Sequence, residues 1–235
     1  MFSSKRLLQG VAGLVLALVA AGAWAAGAGV ITHLSGTMSV QRPDGSVRIL
    51  SQKSEVQPGD VLTTQRDSYA QINFSDGSAA TMRPNTTMKL EAYTFNKDAP
   101  QSDGMFMRLV KGGLRTVTGL IGKRGNQDAY KIGTSTATIG IRGSSGDTVE
   151  CPTAGSCGSL EQGTYHTTYT GSYIMQNQGG SQLVGEGQFG FAQTPGKIPV
   201  LLPGDPGLNL NQLPFVLGIG GGPITGGASQ ECIVR

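Results

Sequence analysis

Beyond residue 24 the chain has no tryptophan, and its histidines are only His33 and His166. Two histidines at that separation give no metal-binding spacing with Cys151, Cys157 or Cys232, so no metal or cofactor is expected. Helix-length apolar periodicity is missing from every stretch past the N-terminus, which excludes bundles and α/β folds. The net charge of +3 includes Lys5 and Arg6, and no acid occurs in residues 1–25. The remainder is close to neutral, so nucleic acid is not an expected partner. A collagen-like period of three is also lacking.

Glycine is abundant, with 37 in 235 residues, about twice the usual ~7%. Together with runs of alternating residues, this points to short strands joined by tight turns. Lys5 and Arg6 precede an apolar run from Leu7 to Ala26, and Ala23-Trp24-Ala25 has the small-x-small form of a cleavage site. This reads as a signal peptide, residues 1–25, of helical type. Its dense core, Val11 to Ala23, is shorter than the ~20 residues of a membrane span. Cleavage leaves 210 of the 235 residues and no further apolar segment able to span a membrane. The expected location is the periplasm or the exterior of a Gram-negative type envelope.

Strands are expected at Val30–Leu34, Thr37–Val40, Val61–Thr63, Ala70–Phe74, Ala80–Met82 and Met88–Ala92. Asp44-Gly45 and Asp76-Gly77 predict hairpins with type I′ turns, where both central residues need positive φ. Phe106, Arg108 and Val110 alternate with Met107, Leu109 and Lys111, which predicts a strand buried on both faces. Gly112-Gly113 is expected to turn it into a new strand, Leu114–Val117. Further strands are expected at Thr164–Thr170, Ser172–Asn177, Ser181–Val184 and Gln188–Ala192. The fold class is therefore all-β, a short-strand meander that forms either a sandwich or a rolled, solenoid-like domain. Its expected span is 27–193. Six of eleven prolines fall within 195–223, so 194–235 reads as an extended, partly disordered tail. Its apolar islands Val200–Leu202 and Phe215–Leu217 leave open a tail that wraps onto the domain or a partner.

Cys151 and Cys157 are the candidate disulfide, since an oxidising compartment favours a small closed loop over free thiols. Cys232 is left over. No catalytic set is legible. Gly119-Leu120-Ile121-Gly122-Lys123 is too short for a phosphate loop and is followed by Arg124. Gly143-Ser144-Ser145-Gly146-Asp147 reads as a tight connection between strands. Asp60, Asp67 and Asp76 read as surface or turn acids, and His166 as a residue on a solvated strand face. Arg142, between glycines, is expected to hydrogen-bond to backbone carbonyls of neighbouring strands. Tyr165, Tyr169 and Tyr173 read as packing residues first, and as the candidate partner surface in the alternative.

The order of motifs resembles the FecR domain from about Gly29 to about Pro199. The resemblance is carried by Pro58-Gly59-Asp60-Val61-Leu62-Thr63, Ile72-Asn73-Phe74-Ser75-Asp76-Gly77-Ser78, Lys111-Gly112-Gly113-Leu114-Arg115 and Gly185-Glu186-Gly187-Gln188. Its strongest part is Ala137-Thr138-Ile139-Gly140-Ile141-Arg142-Gly143; Ser144 stands where that family commonly has Thr. The resemblance implies an all-β module working in the periplasm. In the regulators that name the family, this domain relays a signal from an outer-membrane receptor to a sigma factor. Only six residues precede the apolar run here, so an anti-sigma segment is not expected. The expected function is a non-catalytic, exported interaction or signal-relay module with an envelope protein as partner. A structural protein binding polysaccharide through the three tyrosines is the alternative.

Overall fold

The structure is a computed structural model and describes residues 27–208. The expected signal peptide, Cys232 and the part of the expected tail beyond 208 lie outside the described residues. Fifteen strands follow in order: β1 Gly29–Ser35, β2 Met38–Gln41, β3 Val47–Leu50, β4 Glu55–Val56, β5 Val61–Thr64, β6 Tyr69–Phe74, β7 Ala79–Met82 and β8 Thr87–Thr94. Then come β9 Gly104–Val117, β10 Tyr130–Gly133, β11 Thr138–Cys151, β12 Gly163–Asn177, β13 Gly180–Gly185, β14 Phe189–Ala192 and β15 Val200–Leu202. Among the described residues only a short 3-10 turn, Pro100–Ser102, is helical. No helix among the described residues is long and apolar enough to cross a membrane.

All fifteen strands belong to one hydrogen-bonded sheet. It is mixed, because β9 and β10 run parallel while the other pairs are antiparallel. It is bent into two layers by three long strands that take different neighbours along their length. The first half of β9 lies between β8 and β10, and its second half between β7 and β11. β11 likewise leaves β10 and joins β9, and β12 passes from β14 to β13. One layer thus reads β3-β2-β5-β8-β9-β10-β11-β12-β13. The other reads β4-β1-β6-β7-β9-β11-β12-β14-β15. Neither closes: β3, β13, β4 and β15 are open edges.

The bend is visible in β12. Seven residues of extended strand would separate His166 from Tyr173 by about 23 Å. Their rings lie 4.1 Å apart, facing each other across the two layers. The bends fall at Gly112, Gly143 and Gly171, with φ of 88°, 65° and 74°. Side chains with a Cβ seldom take that conformation. Gly112-Gly113 is therefore a corner within one continuous strand, not the reversal expected from the sequence. The Gly143–Asp147 stretch is likewise a bulge inside β11 rather than a connection between strands.

The space between layers is filled by Ile31, Met38, Leu62, Ile72, Met82, Met88, Leu90, Met107, Leu109, Ile132, Ile139 and Met175, all at most 1% exposed. The many methionines suit an irregular gap between two bent sheets, since their side chains adapt in shape. β9 buries Met105, Met107 and Leu109 but exposes Val110, so only one of its faces is internal, contrary to expectation. A one-sided strand suits a two-layer fold, in which the outer surface meets water.

Both hairpins form where Asp-Gly stands, but with a different turn. Gly45 N donates to Arg42 O and Arg42 N to Ser46 O, and the same pattern joins Phe74, Gly77 and Ser78. Gly45 and Gly77 have positive φ, while Asp44 and Asp76 do not. The result is a type I turn followed by a glycine bulge. Asp44 and Asp76 prefer it because each Oδ1 accepts from the N–H and hydroxyl of the serine two residues on. β15 pairs with β14, so the first part of the proline-rich segment adds a strand to the sheet.

The corner and turn glycines differ in their tolerance. A Cβ on Gly112 would lie 2.5 Å from Thr86 Oγ1 and 2.7 Å from its Cα, whereas Gly45 has nothing within 4 Å. Gly112→Ala is expected to lose roughly 2 kcal/mol or more, and Gly45→Ala about 1 kcal/mol, in urea denaturation. Equal losses would show that φ alone matters at the corner.

Candidate functional site

The two halves of β12 carry the sequence-predicted tyrosines in opposite directions. Tyr165 is buried, stacks on Phe191 at 4.5 Å and donates from its hydroxyl to Glu161 O. Tyr169 is half-buried and donates to Asp147 Oδ2 at 2.6 Å. Tyr173 lies beyond the Gly171 corner, fully buried in the core against His166. The three therefore form no exposed aromatic strip. An alternation argument assumes a straight strand, and this strand bends between the second and third tyrosine.

Tyr169 belongs instead to a buried ionic cluster that the sequence did not reveal. Asp147 on β11 is fully buried and accepts from Arg83 Nη2 at 2.8 Å, Arg115 Nε at 2.9 Å and Arg115 Nη2 at 2.8 Å. Arg115 also donates to the Tyr169 hydroxyl at 2.9 Å and lies over its ring. Pairing creates this: Arg115 on β9 sits directly opposite Asp147, and Thr81, just before the turn carrying Arg83, sits opposite Arg115. Burial pushes the Asp147 carboxyl up. The hydrogen bond and charge of Arg115, with the charge of Arg83, outweigh that and hold it below the usual carboxylate range. Residues 83, 115, 147 and 169 are too far apart in the chain for any spacing rule to connect them.

Other acids are also internal. Asp60, read as a surface or turn acid, closes a turn through its N–H to Gln57 O but is fully buried and pairs with Arg42 at 3.1 Å. Asp76, also buried, accepts from Ile121 N and ties the hairpin to the segment after β9. Asp67 stays exposed at a turn. Glu150 is buried among hydroxyls of Ser135 and Thr164, and burial raises its carboxyl above the usual range. Arg142 pairs with Asp128 at 3.0 Å on the surface, rather than with the backbone carbonyls expected.

His166 is not on a solvated face. It is fully buried on the inner side of β12, where Thr148 Oγ1 lies 3.0 Å from Nδ1, while Nε2 has no hydrogen-bond partner. Burial pushes its pKa down to about 3, against a smaller upward pull from Asp147. His33 lies on β1, far along the sheet from it. Among the described residues, no three His, Cys, Asp or Glu side chains gather as a metal site.

Cys151, at the end of β11, and Cys157 are joined by a disulfide with Cα atoms 5.6 Å apart. The loop they close walls two depressions. One, of about 480 Å³, is lined by Arg83, Lys111, Glu150 and Cys157; the other, of about 600 Å³, by Ser135, Glu161, Gln162 and Gln193. Neither brings a nucleophile and a base together.

The most accessible apolar groups lie at a sheet edge. Val47 and Ile49 on β3 are 67% and 70% exposed. β3 has only β2 as neighbour. The Arg42–Ser46 hydrogen bond fixes the alternation of that pair, so Arg48 and Leu50 face β2. The N–H and C=O groups of Val47 and Ile49 consequently point to the open side.

Residues 60–158 match the family model described as FecR protein. Two solved structures of a provisionally assigned anti-sigma factor from Parabacteroides distasonis ATCC 8503 are similar, at 10% and 12% identity with TM-scores of 0.44 and 0.45. Each alignment covers 61% of this chain and 59% of that one, so the chain spans under two thirds of those proteins. A cell surface anchoring domain aligns at 26% identity over 26% of this chain and 82% of its own, with a TM-score of 0.26. No curated protein matches.

Two predictions follow from the buried charges. Asp147→Asn removes the carboxylate charge that two inward-facing guanidinium groups share and is expected to cost about 3–5 kcal/mol in urea denaturation. A loss under 1 kcal/mol would show that the cluster is dispensable. For His166, the folded pKa of about 3 lies below the ordinary 6.5, so the unfolded chain binds the extra proton as pH falls. Its contribution is complete above pH 6.5 and is lost progressively towards pH 3. Between pH 7 and 5, wild type should lose about 2 kcal/mol more than His166→Asn. Parallel pH profiles would mean the imidazole is not held neutral.

Proposed function

We propose that this chain is an exported, non-catalytic binding module that captures an extended segment of another envelope protein along β3. The observation that carries this reading is the open edge at Val47 and Ile49, where unpaired backbone groups and exposed apolar side chains coincide. A strand added there gains hydrogen bonds from the backbone and packs alternate side chains against Val47 and Ile49. Arg48, exposed between them, favours an acidic residue at the facing position. The FecR domain supports a regulatory or relay role. The signal-like N-terminus and the closed cysteine loop support an oxidising compartment, periplasmic or extracellular. With Asp147, Asp60, Glu150 and His166 all internal and engaged in packing, the described residues offer no acid, base or nucleophile set on an accessible surface.

Ile49→Pro tests the edge. The substitution removes an N–H that faces outward, at an edge position where proline is tolerated. Affinity capture from envelope extract should recover one protein with wild type and at least ten-fold less with the variant, while both give the same β circular dichroism. Recovery unaffected by the proline, or recovery of glycan alone, would sink the reading.

A further inference from the structure

The outer face of the first layer contains a glycine that the fold itself does not explain. Gly140 is the third residue of β11, its φ is not positive, and a Cβ there would meet only Ile174 O, at 3.9 Å. Glycine within a strand costs stability because it gives up more chain entropy and packs nothing. The other reason for such a glycine is close approach of a ligand or a second backbone. Ile139 and Ile141 point into the core, so Gly140 opens outward.

What surrounds it is a shallow trough of about 160 Å³. Lys131 lies directly opposite Gly140 on one side and Ile174 on the other. Arg142 and Thr138, two residues away on the same face of β11, bound the trough along the strand, and Asp128 and Gln176 complete it. Arg142 is paired with Asp128, and Lys131 forms no ion pair among the described residues. Two cations and one acid leave the lining with one positive charge in excess.

We infer that this trough binds one sugar unit of an acidic polysaccharide, with the ring over Gly140 and its carboxylate on Lys131. The chemistry of the lining matches such a ring. Ile174 supplies an apolar surface for the C–H face. The guanidinium, carboxylate and amide of Arg142, Asp128 and Gln176 supply fixed donors and acceptors for neighbouring hydroxyls. One surplus cation matches one carboxylate per sugar. The row continues to either side, with Phe106 opposite Lys131 and Leu183 opposite Ile174, so a chain of sugars can extend across the strands. This site is separate from the β3 edge, and lies where the sequence-predicted tyrosines do not.

The test is titration of the full mature chain with polygalacturonate, neutral dextran and polyglutamate at low and moderate salt. Polygalacturonate is expected to bind, and dextran and polyglutamate to bind at least ten-fold more weakly. Gly140→Val fills the trough, its Cβ coming no nearer to other atoms than 3.9 Å from Ile174 O, and should weaken polygalacturonate at least ten-fold, with melting and circular dichroism retained. Lys131→Gln should weaken it similarly and reduce its salt dependence. No binding of polygalacturonate overturns the proposal. So does equal binding of polyglutamate, or binding that survives Gly140→Val, since either would mean only a diffuse attraction for polyanions.

Discussion

Three strands must bend together for this protein to exist. β9, β11 and β12 run side by side, and each contributes to both layers. If one bent alone, its hydrogen bonds to the others would break at the corner. The glycines at 112, 143 and 171 let all three change direction, and the two inner faces then come within packing distance. Contacts such as His166 on Tyr173, and Phe74 on Tyr93 at 5.6 Å, are consequences of that shared corner.

The corner also explains why so much charge is internal. Arg115 and Asp147 are cross-strand neighbours on β9 and β11 just past the bend, and Arg83 and Tyr169 reach them from β7's end and β12. Four hydrogen bonds to one carboxylate tie four strands together. A salt bridge of this kind fixes geometry more than it adds net stability, because desolvation offsets much of its attraction. The same burial removes these groups from service as reagents. Asp60 with Arg42, and Asp76 with the residues after β9, do similar work at the turns.

The exterior is not uniform. The β3 edge offers backbone groups and two exposed aliphatic side chains, which suits an extended peptide. The outer face around Gly140 offers a polar trough with one surplus cation, which suits a hydroxyl-rich, acidic ring. These surfaces ask for different chemistry and lie at different places in one layer. A module that joins a protein partner to an acidic polymer would use both.

Much of this fold was legible from residue order. Alternation placed strands at Ala70–Phe74 and Met88–Ala92, Asp-Gly marked both hairpins, and the motif series around Ala137–Gly143 resembled the FecR family whose model matches residues 60–158. These signals are local: each depends on a few neighbouring residues and their backbone preferences. The sequence by itself determined that the chain would be short strands rich in turns. Only the tertiary structure decided that Gly112 is a corner rather than a reversal. It alone separated Tyr173 from Tyr165, buried His166, and made Asp147 the centre of an ionic cluster. Those outcomes depend on which strands become neighbours, and pairing between residues as distant as 83 and 147 leaves no mark in the spacing of either.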